Sequence, residues 1–105
     1  MKGRKDDTGK PRWDLLPWAE VEQVVKVLTF GAVEYGDYNW QKVVAEKPSR
    51  YFAALHRHVV AWRKGEKNDP KSGKSHLAHA VCCLLFLMWH DRNDRPSENT
   101  DRGKE

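Results

Sequence analysis

Ten consecutive apolar residues, Ala80 to Trp89 (AVCCLLFLMW), constrain this chain more than any other feature of it. The run is far short of the roughly 20 residues that cross a bilayer. Ser75 ahead of it suits an N-cap, so the pattern predicts a helix from near Ser75 to about His90. Between Val81 and Met88 that helix is apolar nearly all round and must be covered on more than one side. A domain of 105 residues buries roughly 65% of its unfolded surface and has little apolar surface to spare. A second subunit would supply the missing cover. The expectation is an all-α, compact three- to four-helix bundle completed by dimerisation.

Two more helices are legible. Pro17 suits the first position of a helix. From Ala19 to about Tyr35, Val21, Val24, Val25, Leu28 and Ala32 recur at helical spacing, and Gly36 ends the pattern. Residues 36–49 read as a loop with room for one helical turn. A second helix then runs from Arg50 to about Lys64 along the stripe Tyr51, Leu55, Val59 and Trp62, with Gly65 as its C-cap. Gly9 and Pro11 rule out a stable helix over residues 1–16, which form an extended basic arm. Residues 1–91 make one domain, and residues 92–105 a disordered charged tail. Adjacent on a helix, Cys82 and Cys83 point about 100° apart and cannot easily bridge. They read as small core residues in a reducing, cytoplasmic compartment, and no signal peptide precedes them.

The chemistry gathers in GEKNDPKSGKSHLAHA, residues 65–80. Glu66 and Asp69 sit three apart just beyond the second helix, and an E-x-x-D pair in a charged loop is usually only a solvated surface. His76 and His79 say more. Three apart on a helix, they share a face with Cβ atoms about 5–6 Å from one another. Continuing that face gives Cys83, Phe86 and His90, so the pair heads a stripe that becomes apolar. His58 falls on the inward stripe of the second helix, whereas His56 faces elsewhere. A buried histidine needs hydrogen-bond partners when neutral and a counter-ion when charged. Two acids and three inward histidines at one corner make a candidate metal site.

Lys10, Arg12, Arg50 and Arg57 could each pair with phosphate, the arginines bidentately. Trp13, Trp40 and Trp62 could stack a base, although tryptophan in a small helical protein is more often core. Asn39, beside Trp40, has the amide geometry to read a base edge. The net charge of +4 is mild, and a binder of long nucleic acid shows a denser stripe. Residues 1–12 nevertheless carry +3, which suits phosphate. A small nucleic-acid-binding module therefore stands as the alternative to an enzyme, and a dimer holding zinc purely for folding as a third reading. There is no Walker-type loop, no G-x-S-x-G and no zinc-finger spacing. Water activated by a metal and attacking phosphorus fits the available groups better than a serine or cysteine nucleophile.

Four strings in this order, DTGKPRWDLLP, LTFGAVEYGDYNW, RYFAALHRHVVAW and GEKNDPKSGKSHLAHAVCCLLFL, resemble the phage and bacterial dATP/dGTP diphosphohydrolase family. That family looks like a compact relative of the all-α, MazG-like nucleoside triphosphate pyrophosphohydrolases, which use clustered acids and magnesium. The resemblance implies hydrolysis of purine deoxynucleoside triphosphates to monophosphate and pyrophosphate, as control of the nucleotide pool in phage replication. It implies a divalent metal, Mg2+ by family habit, with Mn2+, Co2+ or Zn2+ suggested by imidazole ligands. The ligand candidates are then Glu66, Asp69, His76 and His79, and the catalytic candidates Glu66, Asp69 and His58. Glu22 is a further acid expected to face the bundle. Lys10, Arg12, Asn39, Trp40, Arg50 and Arg57 are the substrate-binding candidates. Glu34 and Cys83 depart from the family pattern, where lysine and asparagine are expected, and bear on substrate preference.

Overall fold

The computed structural model describes residues 2–93. Among them lie four α-helices: α1, Trp18–Tyr35; α2, Asn39–Glu46; α3, Ser49–Arg63; and α4, His76–Arg92. The described part of the arm before them has no α-helix, only a turn at Thr8–Gly9, where Lys10 N–H donates to the Asp7 carbonyl at 3.0 Å, and a 3-10 turn at Trp13–Leu15. As expected, the fold is all-α. The apolar run lies within α4, which packs against each of the other three helices and most extensively against α3.

Pro17 caps α1 from just outside it, because its fixed φ suits the entry and it has no N–H to satisfy. Val27 is buried against Ala78 and Cys82, with Val24, Leu28 and Phe86 packed around them. Val25, placed on the inward stripe by spacing, is half exposed. Gly36 ends α1 with φ +96°, its N–H donating to the Ala32 carbonyl at 2.8 Å.

The segment expected to be a loop contains the eight-residue α2. Its own apolar residues explain it: Val44 is fully buried, and Trp40 stacks on Phe86 at 4.4 Å and meets Trp89 edge-on at 5.2 Å. In α3 the inward positions are Tyr51, Ala54, Leu55, His58 and Ala61, while Val59 and Trp62 face outward. The true stripe passes through His58, so following hydrophobicity alone shifts it by one residue.

Small residues in α4, Ala78, Ala80, Cys82 and Cys83, are buried and let the other helices approach closely. Burial raises the thiol pKa of Cys82 to about 12 and of Cys83 to about 11, so both are inert core groups. The outer face of α4 exposes Leu77, Val81, Leu84, Leu85 and Met88. Arg92 is the last residue of α4 and Asn93 caps it, and the remainder of the expected tail lies outside the described residues. Among the described residues, no helix is long and apolar enough to cross a membrane.

Candidate functional site

Beyond α3 the chain turns at Gly65, with φ +104°, and folds back on itself. Asp69 N–H donates to the Lys74 carbonyl at 2.7 Å, Gly73 N–H to the Asp69 carbonyl at 2.7 Å, and His76 N–H to the Lys67 carbonyl at 2.9 Å. Gly73 lies in the left-handed region, at φ +71°, where a Cβ would be strained. Ser75 then caps α4 as its sequence position predicts, its Oγ accepting from Ala78 N–H at 3.2 Å. This short backbone frame fixes Asp69, His76 and His79 relative to one another.

The side chains close into one network. His58 Nδ1 lies 2.9 Å from His76 Nδ1, and His76 Nε2 lies 2.5 Å from Glu66 Oε1. His79 Nε2 lies 2.6 Å from Ser72 Oγ, and Ser72 N–H donates to Asp69 Oδ2 at 3.0 Å. Asp69 Oδ2 is 4.0 Å from His79 Nε2, and the His58 and His79 rings stack 4.5 Å apart at 11°. Burial, reinforced by the imidazoles of His79 and His76, pushes the His58 pKa down to about 4. Burial likewise lowers that of His79, with the Asp69 charge opposing. For Asp69, burial works to raise the pKa, but the hydrogen bonds from Ser72 outweigh it and hold the carboxyl ionised.

His58, Asp69 and His76 each bring a ligand atom within 4.8 Å of the others. Ionised Asp69 offers electron pairs to a cation, His58 stays neutral, and the two-imidazole, one-carboxylate set suits Mn2+, Co2+ or Zn2+ better than Mg2+. Glu66 stands behind this trio, joined through His76. His79 stands beside it, tied to Ser72.

The cluster opens on a cavity of about 870 Å³ lined by residues of all four helices and of the corner loop. Six sequence candidates line it: Asn39, Trp40, Arg57, His58, Asp69 and His79. The structure does not bring the other cations there. Lys10 is exposed in the arm, Arg50 is exposed on the first turn of α3, and Arg12 is paired with Asp14 at 2.6 Å in a shallow depression of the arm. Glu22 corrects the sequence reading: it faces solvent rather than the bundle, 3.7 Å from Lys26 one turn along, because α1 turns Val24, Val27 and Leu28 inward. One face of the Trp40 ring is already occupied by Phe86.

Two cavity residues escaped the sequence reading. Lys71, between Asp69 and Ser72, donates from Nζ to Tyr35 Oη at 3.1 Å and lies over that ring. Its position inside the corner stretch was the available signal. Tyr38 takes a left-handed backbone conformation, φ +59°, at the entry to α2, and only the adjacent Gly-Asp hints at a turn there.

Comparison with known proteins bears on what such a cavity serves. The family model described as dATP/dGTP diphosphohydrolase, N-terminal, matches residues 1–102. A dATP/dGTP diphosphohydrolase of Salmonella phage PMBT28 is 36% identical over 102 residues, which are 97% of this chain and 34% of that protein. The chain therefore spans about a third of that relative's length. No solved structure matches. With the family model covering nearly the whole chain and the relative aligned over almost all of it, the protein belongs to the dATP/dGTP diphosphohydrolase N-terminal family.

Proposed function

We propose that this protein hydrolyses dATP or dGTP to the monophosphate and pyrophosphate in a reaction that needs a divalent cation. The observation that carries the reading is the convergence of His58, Asp69 and buried His76, the first two lining a cavity that also holds Arg57, Asn39 and Trp40. Bound by those three residues, a divalent ion would neutralise phosphate charge and make water a better nucleophile near neutral pH. The protein's own groups do the rest. Arg57 pairs with the phosphates, and Lys71 can leave the Tyr35 hydroxyl for the same purpose. Asn39 and the open edge of Trp40 contact the base. Ser72 holds Asp69 ionised and in place, while His79, stacked on His58, limits the freedom of that ring. Lys10, Arg12 and Arg50 take no part in this assignment.

Self-association through α4 belongs to the same proposal. Leu77, Val81, Leu84 and Met88 recur at the spacing of a helix–helix seam and stand exposed in a chain with a small buried core. A homodimer or higher homo-oligomer joined there would lose its association, measured by sedimentation, on Leu84→Glu. The free buried thiols and the phage relative support a cytoplasmic setting and a role in the phage nucleotide pool. The direct test is turnover of each deoxynucleoside triphosphate with Mn2+, Mg2+, Co2+ or Zn2+ and with a chelator. Turnover of dATP or dGTP that stops on chelation and returns with metal is expected, and turnover unaffected by chelation would refute the metal assignment.

A further inference from the structure

The geometry points to Glu66 as a positioning residue rather than a metal ligand: its carboxylate holds the His76 ring in the tautomer that turns an unprotonated Nδ1 toward His58. This rests on the metal site proposed above, and it assigns each ring nitrogen a task. A carboxylate has only acceptor sites, so the 2.5 Å contact between Glu66 Oε1 and His76 Nε2 puts the proton on Nε2. In neutral His76 the electron pair is then on Nδ1. Water cannot easily compete for either nitrogen, because His76 is only 4% exposed. The Glu66 side chain is 53% exposed, so its charge stays hydrated while one oxygen reaches the buried ring.

His58 follows from His76. Its Nδ1, 2.9 Å from the lone pair of His76 Nδ1, must carry the hydrogen in the metal-free protein. Both Nδ1 atoms are therefore occupied by one shared hydrogen bond, in a group that keeps one ligand atom each of His58, His76 and Asp69 within 4.8 Å of one another. For both rings to ligate through Nδ1, His58 has to move its proton to Nε2, and no proton enters or leaves the molecule. His58 Nε2 has no hydrogen-bond partner among the described residues and the ring lines the cavity, so the change strands no buried group. His76 needs no such change. Glu66 has preset it, and a carboxylate behind a ligating imidazole also raises its basicity.

The test labels the histidines with 15N and reads long-range 1H–15N correlations at pH 8, with the five histidines assigned by single substitution. Metal-free protein should show His76 protonated on Nε2 and His58 on Nδ1. On adding Zn2+, His58 alone should switch. Glu66→Gln, which keeps an acceptor, should preserve the His76 tautomer and bind Mn2+ within about threefold of the native protein, whereas Glu66→Ala should lose roughly 10- to 100-fold. Protonation of His76 on Nδ1 overturns the inference. So does a Glu66→Gln protein that binds Mn2+ as poorly as Glu66→Ala, since only a direct ligand would lose that much with its charge. Failure of the native protein to bind any metal would defeat the metal reading, and the metal-free spectrum would still decide the tautomers.

Discussion

The corner at residues 65–79 and the arm at residues 2–16 are both rich in charge, yet they are built in opposite ways. In the arm every polar pairing joins near neighbours: Lys5 with Asp7, Arg12 with Asp14, Thr8 with Asp6. The paired side chains of Lys5, Asp7, Arg12 and Asp14 are 64–74% exposed. In the corner the pairings reach across the chain, His58 to His76 and Glu66 to His76, and the two imidazoles are partly or wholly withdrawn from water while Glu66 stays half exposed. Surface pairs of the first kind contribute little, about 0–1 kcal/mol. Polar groups withdrawn from water and bonded to distant parts of the chain are costly to leave unpartnered, and they hold ligand atoms at set distances. Density of charge does not mark a site; long-range polar pairing under cover does.

The comparison can be broken most forcibly at Asp69. Asp69→Asn keeps the shape of the corner and removes its ionised ligand, so turnover of dATP or dGTP should fall on the order of 100-fold or more with little loss of helicity by circular dichroism. A smaller fall would show that the corner is not where the chemistry lies. Next comes the backbone frame. Gly73→Ala forces a side chain into the left-handed region at φ +71° and should cost about 1 kcal/mol, lowering the melting temperature by roughly 4–8 °C.

Acid should act on the corner and spare the arm. Unfolded His58 takes a proton near pH 6.5 but the folded ring only near pH 4, so the unfolded chain binds more protons between these values. The stability contributed by neutral His58 is full above about pH 6.5 and is lost as the pH falls toward 4. Melting in metal-free buffer at pH 7.5 and pH 5 should show the drop, and His58→Gln should flatten it. The smallest effect belongs to the arm. Arg12→Ala breaks an exposed pair and should change stability by less than about 0.5 kcal/mol and leave turnover nearly unchanged. A large loss of turnover would bring the arm into the site and erase the contrast.

Much of the fold was legible because its strongest signals are local. The α4 apolar run, Ser75 as its N-cap and Gly36 as the stop of α1 depend on short-range periodicity and capping, and each is where the sequence puts it. Helix α2 was not, because its stability comes from burying Val44 and stacking Trp40 on a ring 46 positions away, which no local pattern reveals. At the site, helical spacing put His76 and His79 on one covered face and His58 on the inward side of α3. It could not say which nitrogen meets which. The order Glu66, His76, His58 depends on how the corner loop folds back, and so do the places of Lys71 and Ser72. The arm differs: its cations look suited to phosphate by composition, and the structure leaves them away from the cavity.

The most direct measurement is product analysis. Purified protein, incubated with dATP or dGTP and Mn2+, would be resolved by ion exchange beside its Asp69→Asn variant. Deoxynucleoside monophosphate and pyrophosphate in equal amounts, absent with the variant, are the expected result. Release of triphosphate, or equal turnover by the variant, would contradict the assignment of this cavity as the place where the bond between the α and β phosphates is cut.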